Sequence, residues 1–247
     1  MVDFFRRFHN LIFRLILLSV VIVFYVIEKD SLLLQLNELF SFNLTTLIWL
    51  IFILEIVYRF LPTENVGVAK MYKKHFVEKE YDVIKLNKLK KQDNLRAIIM
   101  FGLFILMMSV VTTLFMLSVI DKGIVLIISM SLWMISEICV QLFCPFSYLF
   151  FKKQCCNKCR FYSWDYFLMF APLIFIGNVF TYIIVVFSFV LLIVWELNYI
   201  KYPQRFYDIS NGAIECKCCE NQNCKYKNTL NKVCDKVLQA FKGDKTK

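Results

Sequence analysis

At 247 residues, 59% of them hydrophobic and 26 of them Phe, with a mean hydropathy of +0.60, the chain carries more apolar surface than a soluble domain of this size needs. That surplus points to runs long enough to cross a bilayer. The formal net charge of +10 does not indicate a nucleic-acid partner, because the basic loops carry no DNA- or RNA-binding signature and basic residues gather beside anionic headgroups in multi-pass proteins.

The chain opens "MVDFFRRFHNLIFRLILLSVVIVFYVI", a basic start and an apolar run. No small-residue cleavage site follows, so the segment reads as a retained first helix rather than a signal peptide. Spans are expected at residues 11–27, 43–61, 97–120 and 124–151, followed by an apolar stretch at 166–200. Arg14 is close enough to the surface to snorkel, and Glu55 lies four residues before Arg59, a helical spacing suited to an ion pair.

Lys29 and Lys122 are the cations of the first and third connections. The other side receives Arg6, Arg7, ten Lys/Arg between Arg59 and Arg96, and four between Lys152 and Arg160. Sixteen against two puts the N-terminus, the 59–96 loop and the 152–165 loop in the cytoplasm. Within 59–96, apolar residues at helical intervals suggest either a basic amphipathic helix on the leaflet or a solvated extension of a flanking span.

The 35 residues of 166–200 are long for one helix and short for two. One crossing would export a tail with ten more cations. Pro172 and the Gly177–Asn178 pair offer break points, so a short or re-entrant helix turning near 177 would keep the tail inside. Such backbone is tolerated at depth only under the cover of other helices.

Three of the ten cysteines lie in "KKQCCNKCRFYSWD" and four in "CKCCENQNC". On a cytoplasmic face such clusters serve more often as metal ligands or catalytic thiols than as disulfides. Cys156 and Cys159 form a CxxC, and so do Cys216 and Cys219; two such pairs supply the four thiolates of a zinc site or an iron–sulfur cluster. Cys155 and Cys224 are alternates. The 56 residues between the pairs include a membrane segment, so the site requires both motifs to emerge on one face. Neighbouring Lys and Arg would favour thiolates and offset their charge.

Glu137 falls near the middle of the fourth span, where a carboxylate is costly. Trp133, Glu137, Gln141, Cys144 and Tyr148 recur at spacings of four and three, a polar track leading toward the first cysteine loop. A proton, ion or substrate path is one reading; a carboxyl neutralised by burial or by Arg14 is the other. Glu196, beside Trp195 and Tyr199, has an interfacial aromatic setting. No nucleotide-binding, zincin or serine-hydrolase motif is present, and whether the chain is an enzyme stays open.

"CPFSYLFFKKQCCNKCRFYSWDYFLMFAPLIFI" with "YPQRFYDISNGAIECKCCENQNC" resembles a family of uncharacterised prokaryotic multi-pass membrane proteins. The resemblance rests on Cys144, Pro145, Cys155, Cys156, Cys159, Arg160, Trp164, Asp165, Cys216, Cys219 and Cys224. It covers the C-terminal half, implies no activity, and suggests that Cys224 belongs to the site and Cys218 is incidental.

The expectation is therefore an all-α, polytopic transmembrane bundle of five to six segments over 1–200, with a basic Cys-rich tail at 201–247. It would lie in the plasma (inner) membrane with both ends cytoplasmic. Zinc or an iron–sulfur cluster would join loop to tail, and the partners would be the lipid bilayer and a membrane redox or protein partner. The alternatives are a thiol–disulfide oxidoreductase, in which a CxxC exchanges disulfides, and a small transporter using the Glu137 track.

Overall fold

The computed structural model describes residues 2–38, 43–61, 70–141, 144 and 159–214. They form helices α1 (Val2–Ile27), α2 (Lys29–Asn37), α3 (Leu44–Phe60), α4 (Val83–Met116), α5 (Lys122–Gln141), α6 (Trp164–Phe170) and α7 (Val179–Lys201). No β-strand occurs among the described residues. Four of the helices, α1, α4, α5 and α7, are long and apolar enough to cross a membrane.

Long-range contacts fix the helix directions. Arg14 meets Trp133, Ser136 and Glu55, whereas Tyr25 meets Asp121, so α1 runs antiparallel to α5. Arg14, Glu55 and Glu137 lie together at one end of the bundle, the near end. At the far end α2 lies across the bundle. Lys29 pairs with Asp121 at 2.7 Å, Lys122 donates to Asn37, and Leu32 and Leu36 are fully buried.

Caps mark the helix starts. Asn43 accepts from the Thr46 amide, Asp82 from Ile84 and Asn178 from Phe180. Each satisfies an amide that the first helical turn leaves without a partner.

The helix of the 166–200 stretch is interrupted between Ala171 and Asn178. Trp164–Phe170 is α-helical, Ala171–Ile176 is 3₁₀, Gly177 is left-handed at φ 74°, and Asn178 caps α7. Pro172 supplies no amide and its ring crowds the preceding turn, so the α-helix stops there. The change of helix type alters reach. A 3₁₀ segment rises about 2.0 Å per residue against about 1.5 Å in an α-helix.

Trp164, Phe167 and Phe175 therefore keep pace with Phe101, Phe104 and Phe115 of α4. The eleven steps from Trp164 to Phe175 climb about 19 Å, close to the roughly 21 Å that α4 climbs in the fourteen steps from Phe101 to Phe115.

Helix α4 starts at Val83, ahead of the apolar run expected from 97, and is one helix of 34 residues, so the 59–96 loop ends in a helical extension of that run. Of the stretch expected at 124–151, helix is described over Lys122–Gln141; the remainder, apart from Cys144, lies outside the described residues.

A cap of irregular chain closes the near end. Residues 70–79 receive the start of the tail: Gly212 donates to the Val77 carbonyl at 2.8 Å and Lys79 to that of Ser210 at 3.2 Å. Tyr199 of α7 shares a hydrogen bond with Tyr207 of the tail, 2.6 Å between oxygens. Burial pushes the Tyr207 hydroxyl well above the ordinary tyrosine range, so it serves as a neutral hydrogen-bonding group.

Candidate functional site: a buried ion-pair chain and the roots of two cysteine motifs

Arg14 is the hub of the near end. Its Nη2 reaches both oxygens of Glu55, at 3.0 and 3.1 Å, and Glu137 Oε2 at 3.2 Å. Nη1 donates to the Trp133 carbonyl at 2.7 Å and to Ser136 at 3.3 Å. The guanidinium lies 4.4 Å from the Trp133 ring centroid. A planar five-donor cation suits so many acceptors.

Arg14 is thus buried, at 7% exposure, and does not snorkel. Glu55 does not pair with Arg59. Besides Arg14, it accepts from Trp133 Nε1 at 2.7 Å and from the Tyr166 hydroxyl at 3.4 Å. Three helices and α6 contribute to this cluster. A charge in an apolar setting is stable only when its hydrogen-bonding capacity is met from several directions.

Arg59 turns instead to Asp165 of α6, at 3.5 Å, with the rings of Tyr162 and Tyr166 at 4.3 and 4.6 Å. Tyr166 belongs to both groups, its hydroxyl on Glu55 and its ring beside Arg59, so the two ion pairs form one chain. Among the described residues, two guanidinium groups face three carboxyls here: Glu55, Glu137 and Asp165. Gln141 donates to Glu137 through Nε2, while its Oε1 is buried without a hydrogen-bond partner among the described residues.

A second group ties the cysteine loop to α4 and α7. Arg160 bonds Glu196 and Asn94 and lies 4.0 Å from the Tyr199 ring centroid. Trp164 donates to Glu196 at 2.8 Å, and Trp195 to the Arg160 carbonyl at 2.6 Å. Glu196 thus keeps its aromatic surroundings and takes Arg160 as its partner. It holds the entry to the broken helix.

Of the expected thiolate ligands, Cys159 is described: it is buried, and its carbonyl accepts from Lys70 Nζ at 3.4 Å. Cys155, Cys156, Cys216, Cys219 and Cys224 lie outside the described residues. Among the described residues no three His, Cys, Asp or Glu side chains come together as a metal cage. Of the polar track, Trp133, Glu137 and Gln141 do share one face; Cys144 is half-buried, and Tyr148 lies outside the described residues.

Sequence reasoning singled out Glu137 and Gln141 but missed the convergence of Arg14, Glu55, Arg59, Asp165 and Tyr166. The available signal was three charged residues in otherwise apolar helices. No family model, curated protein or solved structure matches this chain, so its function is read from its own residues.

Proposed function

We propose that this is a six-pass helical protein of the inner (plasma) membrane, with the N-terminus, the 152–165 loop and the tail on the cytoplasmic side. The four long helices supply four passes. Two more come from α3, 17 residues long, and from α6 with its 3₁₀ continuation, which covers nearly the same height as the facing part of α4. An even count keeps all the cation-rich segments on one side, as the charge rule requires.

At that face the two CxxC motifs join as a thiolate metal site, with Cys156, Cys159, Cys216 and Cys219 as ligands to zinc or an iron–sulfur cluster. One observation carries this reading: the single segment 70–79 holds chain leading into both motifs. Lys70 donates to the Cys159 carbonyl at 3.4 Å, the Met71 carbonyl accepts from Arg205 at 3.4 Å, and the Val77 carbonyl accepts from the amide of Gly212, four positions before Cys216. Cys216 follows Ile214, the last described residue of the tail, by two positions. Cys156 precedes Cys159 by three. At about 3.3–3.6 Å per extended residue, short lengths of chain separate the ligands from anchored roots. A metal there would clamp loop to tail; an iron–sulfur cluster would also pass electrons to a membrane partner.

The test is the metal and acid-labile sulfide content of anaerobically purified protein, compared with a Cys156→Ser/Cys219→Ser variant. Stoichiometric zinc, or iron with sulfide, that disappears in the variant supports the site. Metal-free wild-type protein overturns it and leaves thiol–disulfide exchange as the better account of the cysteines.

A further inference from the structure

We infer that Lys70 is the counter-cation and positioning residue of the thiolate site: its ammonium anchors the Cys159 backbone and sets a positive charge beside the ligands. This rests on the metal reading above, and Lys70 lies outside both cysteine motifs.

Among the described residues Lys70 is the one buried lysine, at 1% exposure, while Lys73 and Lys74 of the same segment are exposed. Its Nζ donates to the Cys159 carbonyl at 3.4 Å, and Cys159 is itself 7% exposed. A cysteine sulfur lies within about 4.6 Å of its own carbonyl oxygen, which puts the ammonium within about 8 Å of the Cys159 sulfur. Away from water, a charge at that distance is little screened. A second cation, Arg205 at 8% exposure, reaches the next residue of the segment, donating to the Met71 carbonyl at 3.4 Å.

The carbonyl contact fixes position. Cys159 precedes the 3₁₀ turn Arg160–Ser163. Trp195 of α7 donates to the Arg160 carbonyl at 2.6 Å, and the Arg160 side chain bonds Glu196 and Asn94. Lys70 holds the peptide just before those contacts. Cys159 is thus gripped by the 70–79 segment on one side and by α7 on the other. Groups that orient a metal ligand in this way govern affinity as well as geometry.

The charge gives the lysine its second role. Zinc held by four thiolates carries a net negative charge, and the potential of a thiolate-held cluster follows the charge around it. An anionic site beside Lys70 offsets the cost of burying its ammonium, and the ammonium offsets the cost of gathering thiolates. The exposed lysines of the same segment lack this effect, because water screens them.

The experiment compares the full-length protein, purified anaerobically, as wild type, Lys70→Met, Lys70→Gln and Lys74→Met. Zinc affinity is read by chelator competition; where iron and sulfide are found, the midpoint potential is read instead. Both Lys70 variants should bind zinc about 10–100-fold more weakly, or hold a cluster that is harder to reduce. Lys74→Met removes one exposed charge and should change neither. Metal-free Lys70→Met should melt no lower than metal-free wild type, because an apolar side chain of similar length replaces a buried charge; a merely structural lysine would lower that melting point. Wild-type affinity or potential in both Lys70 variants, an equal shift in Lys74→Met, or a lower melting point of metal-free Lys70→Met overturns the role of Lys70 and leaves the metal site standing. Wild-type protein that is purified without metal overturns both.

Discussion

Arg14 and Glu55, 41 positions apart, meet through a single nitrogen that contacts both carboxylate oxygens at 3.0 and 3.1 Å. Removing the cation leaves two half-buried carboxyls without their shared partner. Arg14→Leu should destabilise the protein by about 3–5 kcal/mol, the range seen when one partner of a buried pair is deleted. Adding Glu55→Gln and Glu137→Gln to it should recover part of that loss. Thermal unfolding in detergent reads both; equal melting of Arg14→Leu and wild type would refute the hub role.

Glu55 and Glu137 should respond differently to neutralisation. Glu55→Gln removes the acceptor of Arg14, Trp133 and Tyr166 and should cost about 2–3 kcal/mol, as when a hydrogen-bonded charged acceptor is lost. Glu137→Gln leaves two cations against two carboxylates and should fall within about 1 kcal/mol of wild type. Denaturation midpoints of the two variants, measured side by side, check the order.

At Gly177 the backbone has φ 74°, and an added Cβ would meet only the Tyr182 hydroxyl, at 3.7 Å. The cost of Gly177→Ala is therefore conformational rather than steric. It should be about 1–2 kcal/mol, and Gly177→Asn should cost less because Asn tolerates the left-handed region. If Ala and Asn destabilise equally, backbone conformation is not what selects glycine there.

Gly123 is constrained by space instead. A Cβ would stand 2.6 and 2.7 Å from carbons of the Tyr25 ring, and displacing the ring breaks its bond to Asp121. Gly123→Ala should cost about 1–3 kcal/mol, typical of overpacking. Gly123→Ala on a Tyr25→Ala background should cost less than it does alone, a coupling that a double-mutant cycle measures.

The far-end pair Lys29–Asp121 has a predictable pH signature. Although burial opposes it, hydrogen bonds from Lys29, the Ile124 amide and Tyr25 hold Asp121 below the usual 3.8. A depressed carboxyl contributes stability above its unfolded value and loses it as pH falls through the folded one. With Lys29 largely exposed, solvent screening keeps the contribution small. Asp121→Asn should flatten the acid limb of the stability–pH curve below about pH 4, which chemical denaturation across pH would reveal.

The helices were legible in the sequence because hydropathy and length decide them, and Pro172 and Gly177 announced the break because each restricts the backbone locally. The ion-pair chain was not legible. Glu55 has a plausible partner one turn away in Arg59, and only the fold shows that each finds another: Arg14 for the first, Asp165 for the second. Local spacing proposes pairs; packing chooses among them. Glu137 was legible as an anomaly, and its pairing with Arg14 was one of two readings that spacing left open. The start of α4 was ambiguous for a different reason, since a helix lying on a surface and one continuing a span share the same apolar period.

The resolution of that ambiguity alters how the near face looks to the solution. An α-helix of 34 residues is about 51 Å long, against roughly 30 Å of hydrocarbon. Measured along its axis, Lys85, Lys88, Lys90 and Lys91 lie about 9–18 Å beyond Ala97, where the apolar run begins. The screening length at physiological salt is about 8 Å. With headgroups reaching about 5–8 Å past the hydrocarbon, Lys90 and Lys91 stay within one screening length of them, whereas Lys85, about 18 Å along the axis from Ala97, stands out toward the solution.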